Sequence, residues 1–235
     1  MGLVNSGTFD LNSACAGFVT GLDVASKYLM ADDKYRNIVV VGAYGMTKYL
    51  DWDVYQISSL FADGAGAVVV RAAEKAEDPG ILASKLFTLG EYYDYMGVYG
   101  GGTAKPITHA SIDRKEHLLN FAKKIPLETN SMHWPRLVKL LLDRCDRPLS
   151  DVKKFFLTQI NIGTIEATMD SLGVDRSLSH NIMDRFGYTG SACIPMAIAD
   201  AASQHQLRKG DLVMLVGSGG GVAMASMALE WAYDT

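Results

Sequence analysis

At 235 residues, with 49% hydrophobic and 20% charged side chains, the chain is long enough to bury a substantial core. Its net charge is −4 and it holds no Lys/Arg-rich run, which excludes the electrostatic footprint of a nucleic-acid partner. The longest apolar runs, 38–43 and 212–216, fall far short of the roughly 20 residues that a membrane-spanning helix needs, so a soluble chain with no membrane partner is expected.

In chain order, Thr8 to Leu11 reads as a short extended segment leading into Asn12-Ser13-Ala14-Cys15-Ala16-Gly17. Phe18, Leu22, Ala25, Tyr28 and Leu29 then recur at helical spacing. Asn37 to Ala43 and Ala65 to Val70 are apolar runs of the kind expected of strands covered on both faces. Ile81 to Leu89 reads as a further strand and opens into Tyr99-Gly100-Gly101-Gly102-Thr103 and a long loop reaching about residue 113. Helices are predicted at about 114–124 and 132–146, a strand at Lys153 to Leu157, and helices at Ile162 to Leu172 and about 190–206. Strands at Leu212 to Gly217 and Val222 to Trp231 close the pattern. Helices alternating with buried strands predict an α/β layered fold. The polar stretch Glu74 to Pro79 is the best candidate boundary, dividing the chain into 1–78 and 79–235.

Cys15, Cys145 and Cys193 form an odd set without metal-ligand spacing, and the five histidines make no paired motif. No metal is expected, and a reducing, cytoplasmic compartment is. Of the three thiols, Cys15 has the context of a nucleophile. A sulfur on the turn that opens a helix sits near the positive end of the helix dipole, which favours the thiolate. Its small neighbours would admit a thioester, and its own N–H could face a developing oxyanion. A cysteine between alanines is equally the mark of a buried packing residue.

Phe61-Ala62-Asp63-Gly64-Ala65-Gly66-Ala67 precedes a strand, and Gly217-Ser218-Gly219-Gly220-Gly221 joins the two terminal strands. Glycine is needed where a backbone turns tightly or approaches another group with no side chain between. In this order, the Asp-x-x-x-Ala-Cys-Ala-Gly-Phe segment, the Phe-x-Asp-Gly-Ala-Gly-Ala segment, Asp-Arg-x-Gly-x-Thr-Gly-Ser-Ala at 184–192 and the terminal glycines resemble the motif series of ketoacyl-acyl carrier protein synthase III enzymes. The resemblance runs from about Phe9 to Trp231.

That resemblance implies a thiolase-like fold of two similar α/β halves packed as five layers, with the first half incomplete here. It implies a homodimer, or a heteromer with a chain supplying the missing N-terminal elements. It makes Cys15 the residue that takes an acyl group from acyl-CoA, with no further cofactor, and places the oxyanion pocket between the N–H groups of Cys15 and Gly220. An acyl carrier protein thioester is the implied second substrate.

Departures from the motifs matter as much. Where the family reads His-Gln-Ala-Asn this chain has Thr158-Gln159-Ile160-Asn161, and where it reads Gly-Asn-Thr this chain has Gly187-Tyr188-Thr189. Thr158 and Tyr188 therefore occupy the positions of the catalytic histidine and asparagine, which stabilise the enolate formed on decarboxylation. Gln159 and Asn161 persist, as substrate-binding candidates or as structural residues. His180 is the nearest histidine in sequence, and a satisfied core or surface role suits it better. The helix after the motif carries Glu166 and Asp170 and no Lys or Arg, which argues against docking of an acidic carrier protein there. Gly101 and Gly102, with Lys105, are candidates for the pantetheine route, or a surface loop. Tyr92, Tyr93, Tyr95 and Tyr99 are candidates for an acyl tunnel, or for packing over a sheet edge.

Two functions fit: an acyltransferase acting through Cys15, with decarboxylative condensation impaired, or a non-catalytic subunit of a condensing-enzyme complex.

Overall fold

The computed structural model describes residues 2, 4–75 and 78–235. Its helices are α1 (Gly17–Ala31), α2 (Tyr55–Ser58), α3 (His109–Asp113), α4 (Thr129–Arg144), α5 (Ile162–Leu172), α6 (Met183–Phe186) and α7 (Cys193–Ser203). Its strands are β1 (Asn37–Tyr44), β2 (Gly64–Arg71), β3 (Ile81–Thr88), β4 (Met96–Val98), β5 (Leu119–Phe121), β6 (Val152–Leu157), β7 (Leu212–Gly219) and β8 (Ala223–Glu230).

The apolar run 212–216 lies in the middle of the main sheet, whose order is β3-β8-β7-β6, and every residue of β7 except the last is buried. The β6 strand joins β7 in parallel, whereas β8 and β3 add antiparallel. The β1 and β2 strands form a separate antiparallel pair in which Gly42 faces Gly66. Between the two sheets run α1 and α7. The former is buried on two sides, through Phe18, Leu22 and Ala25 and through Val19 and Ser26, because it meets β1 on one side and β7 and β8 on the other. Helices α4 and α5 cover the far face of the main sheet, built around Trp134, Leu141, Ile165 and Met169. The α5 helix is well bounded: the Asn161 side chain accepts from the Thr164 N–H at its start, and Gly173 ends it at φ +72°.

The thiolase-like α/β class is therefore the class found. Four layers are present among the described residues, against the five implied by the motifs, and no described element covers the outer face of β1 and β2, where Val39, Val41 and Val69 are exposed. Three local expectations are corrected. Residues 8–11 form no strand, α3 forms within the stretch expected to be a loop, and the helix expected at about 114–124 is replaced by a turn and by β5, which pairs with β4 in the register Met96↔Phe121. The proposed boundary at 74–79 includes residues 76 and 77, which lie outside the described residues. On either side of it the chain interlocks, since α1 packs on the main sheet and α7 packs on β2.

The Asp-Gly-Ala-Gly-Ala motif serves this interlocking. A Cβ on Gly42 would stand 2.4 Å from the Ser191 carbonyl oxygen, and one on Gly66 would stand 2.8 Å from Pro195 Cβ and 3.0 Å from the Met196 nitrogen. The facing glycines form a slot that lets α7 lie directly on the sheet. Gly42→Ala and Gly66→Ala are each expected to lower unfolding free energy by about 1–3 kcal/mol. Gly45→Ala, where an added Cβ meets nothing within 4 Å, should leave it nearly unchanged in urea titrations.

Candidate active site

Cys15 stands on a strained turn. Ala14 has φ +46°, a left-handed conformation costly for a residue with a Cβ. The turn is held by Asn12 Oδ1, which accepts from the Ala14 N–H at 2.9 Å, and by the Ala16 and Gly17 N–H groups donating back to Ser13 and Ala14. The first residue of α1 is Gly17, so the sulfur sits two positions before the helix.

The glycine turn after β7 arrives against this point. A Cβ on Gly219 would lie 2.4 Å from the Cys15 nitrogen and 2.8 Å from Ala14 Cβ. One on Gly220 would lie 2.8 Å from Met96 Cε. The turn after β7 thus meets the Cys15 turn through Gly219, whereas Gly220, the residue expected to face Cys15, lies against Met96.

Tyr188 reaches the sulfur from the other side. It is 2% exposed, its ring packs 5.4 Å from that of Phe61, and its backbone is tied to the same segment through Ala62 N–H to Tyr188 O at 2.9 Å. Tyr188 shares one buried core cluster with Cys15. Thr158 is fully buried, and its hydroxyl is occupied, accepting from the Ser218 N–H at 2.8 Å. Thr158 is thus a clasp between the ends of β6 and β7.

Other candidates fall away from the thiol. Gln159 is 1% exposed; its amide donates to the Leu157 and His180 carbonyls and its oxygen accepts from the Ile182 N–H, so the whole group is spent on backbone. Asn161 is the cap of α5. Gly101, at φ +103°, abuts Ile107, and an added Cβ on Gly102 meets nothing, so both shape an exposed turn. Lys105 pairs with Glu116 at 2.8 Å. Tyr92 and Tyr95 pack edge to face, and Tyr99 donates to the Asp94 carbonyl, which knits their own loop together. His180 is bound by Asp200 at 2.7 Å and Gln206 at 3.2 Å, a satisfied core role.

The electrostatics correct the expectation of a thiolate. Burial pushes the Cys15 thiol up to about 11, with the Tyr188 hydrogen bond pulling the other way. Cys193, 1% exposed, is pushed up to about 12 by burial. The phenols of Tyr188 and Tyr44 are raised by burial first, and then by the field of Cys15. These four groups are therefore neutral weak acids at pH 7. Among the described residues no group of His, Cys, Asp and Glu side chains is placed to hold a metal ion.

Comparison with known proteins now has a geometry to rest on. The profile of 3-oxoacyl-(acyl-carrier-protein) synthase III matches residues 9–90, and that of its C-terminal part matches residues 142–231. The chain belongs to the synthase III family. A β-ketoacyl-(acyl-carrier-protein) synthase III of Natranaerobius thermophilus is 31% identical over 232 residues, taking in 95% of this chain and 68% of the relative. One from Roseiflexus is 32% identical over 98% of this chain and 69% of its own length. The crystal structure of the Pseudomonas aeruginosa synthase III superposes with a TM-score of 0.87 at 28% identity, covering 99% of this chain and 69% of that one. These matches include the first of the two profiles, and the chain spans 68–69% of the length of the relatives it matches.

Sequence reasoning missed two residues that pack around this point: Tyr44, whose ring lies against Gly190 and Phe61, and Met96, against Gly220. The only signal for Tyr44 is an aromatic residue ending an apolar strand, and Met96 carries none.

The raised thiols make a measurable prediction. Each holds its proton more tightly folded than unfolded, where a thiol titrates near 9.0, so the stability it contributes is complete below that pH. It is then lost as pH rises through about 11 for Cys15 and about 12 for Cys193. Urea titrations should show stability falling from pH 9 upward, and Cys15→Ala and Cys193→Ala should each flatten that slope; a slope that neither changes refutes the assignment.

Proposed function

We propose that this chain is a synthase III-type acyltransferase in which Cys15 attacks an acyl-CoA thioester and holds the acyl group as a covalent thioester. The observation that carries this reading is the meeting of the Cys15 amide with the glycine turn at residue 219, just before the start of α1. Such a backbone pocket suits the oxyanion of a tetrahedral intermediate, and covalent catalysis separates acyl loading from transfer. Decarboxylative condensation is impaired in this reading, because Thr158 has its hydroxyl engaged by Ser218 and a single phenol stands at 188.

The acyl donor is a CoA thioester rather than a carrier-protein thioester docked on α5. Its acidic residues are less repulsive than the helix alone suggests, since Arg176 pairs with Glu166 at 2.9 Å and Asp170 at 2.6 Å. Even so, that face offers no spare cation to an acidic partner. A homodimer is the assembly this reading adopts, with a heteromer as its alternative.

One observation favours a second reading, a non-catalytic subunit: Cys15 is 6% exposed and its thiol is neutral. Intact mass after incubation with acyl-CoA thioesters of graded chain length separates the two. An adduct abolished by Cys15→Ala supports the acyltransferase, and no adduct from any thioester supports the subunit. In the acyltransferase, the double substitution Thr158→His, Tyr188→Asn should raise malonyl decarboxylation by roughly 100-fold or more, the value of restoring a donor to a developing oxyanion.

A further inference from the structure

We propose that Asn12 is a positioning residue for acyl loading: its side chain holds Ala14 in a left-handed conformation and so leaves the Cys15 N–H free, beside the glycine turn, for the oxyanion. The inference rests on the reading that Cys15 accepts an acyl group, and adds the side chain that sets its geometry.

Four consecutive amides, of residues 14–17, make the turn into α1, and three of them are engaged. Ala14 donates to Asn12 Oδ1 at 2.9 Å, Ala16 to the Ser13 carbonyl at 3.1 Å and Gly17 to the Ala14 carbonyl at 2.9 Å. The Cys15 N–H has no acceptor among the described residues, although its nitrogen is where a Cβ on Gly219 would come within 2.4 Å. An unpaired backbone donor in a buried residue is uncommon, and at a reacting centre it is the donor a developing oxyanion needs.

The arrangement depends on Ala14. A residue with a Cβ is strained at its φ of +46°, and relief would turn the peptide planes on both sides, the one carrying its own N–H and the one carrying the Cys15 N–H. Asn12 grips the first of these planes. No ordinary cap shares the task, since the cap residue of α1 is Ala16, which makes no side-chain bond. Asn12 and Ala14 are exposed while Cys15 is buried, so the grip can be removed without opening the core. Its effect falls on one moment of the reaction. As the Cys15 sulfur bonds to the acyl carbon, the carbonyl electron pair moves onto oxygen. When that pair returns, the C–S bond to CoA breaks, and the proton lost by the Cys15 thiol ends on the CoA sulfur. The oxyanion between these two events is what the Cys15 N–H meets.

Asn12→Ala removes the grip and takes nothing from the core. Acylation of Cys15 by whichever of acetyl-, butyryl- and octanoyl-CoA loads the wild type fastest, followed by intact mass, is expected to slow about 5-fold at saturating thioester, with the half-saturating concentration unchanged. Alkylation of Cys15 by iodoacetamide, which displaces iodide from a saturated carbon and forms no oxyanion, should keep the wild-type rate. Adding Ala14→Gly to Asn12→Ala should restore acylation, because glycine holds a positive φ without a grip. Unchanged acylation in Asn12→Ala, equal slowing of alkylation, or a loss that Ala14→Gly does not restore would each overturn the proposal. A wild type that iodoacetamide alkylates at Cys15 but that no thioester acylates defeats the acyltransferase reading, and the proposal with it.

Discussion

The backbones of Cys15 and Gly219 approach so closely that any Cβ on residue 219 would collide with the cysteine amide at 2.4 Å. That approach sets the rest of the architecture. For the turn before α1 to touch the turn after β7, the helix must lie flat on the main sheet, which it does through Gly217, whose added Cβ would stand 3.1 Å from Ala16 Cα. Its other side is then free to receive β1, where an added Cβ on Gly21 would stand 3.0 Å from a Val40 methyl. Small residues at each crossing let three backbone layers come together around one sulfur.

The state of that sulfur is decided by competition between burial and the helix end. A rise from 9.0 to about 11 corresponds to about 3 kcal/mol against the thiolate. The field at a helix terminus is worth about 0.3–1 kcal/mol in ordinary settings. Cys15 is also one step outside the cap residue Ala16, so its share of that field is reduced. Burial wins, and the same term raises Tyr188, Tyr44 and Cys193 around it. A helix placed behind a cysteine thus marks where a nucleophile stands without fixing its protonation.

What could be read from the sequence follows from how local each determinant is. The apolar runs at 37–43, 65–70, 153–157 and 212–217 became strands, and the periodic segment after Cys15 became α1, because an apolar run or stripe is written into consecutive residues; the expected cover on both faces fails for β1 and β2, whose outer face is exposed. Leu119 and Phe121 were ambiguous: they fit a helical stripe, yet pairing with Met96 and stacking of Phe121 on Phe61 at 6.2 Å made them a strand. At the site, Cys15, Thr158 and Tyr188 were legible through their motifs. Gln159 and Asn161 were legible as positions, while their roles, anchoring the 180–182 backbone and capping α5, needed coordinates. Tyr44 was hidden because its two contacts, with residues 61 and 190, are both distant in the chain.

Chemistry in this chamber is constrained by the absence of a counter-charge among the groups brought to the thiol, which are phenols and a second thiol. An isolated charge in so buried a place is costly unless it is paired. Transfer of an acyl group between sulfurs begins and ends neutral, and in the proposed reading its transient oxyanion would be met by backbone N–H groups that carry no charge of their own. Loss of carbon dioxide from a malonyl group differs, since a carboxylate must enter and an enolate must be held after it departs. In the proposed reading, Thr158, whose hydroxyl is clasped to Ser218, and Tyr188 stand where imidazole and amide donors would be, which removes support from the second reaction while leaving the backbone pocket of the first.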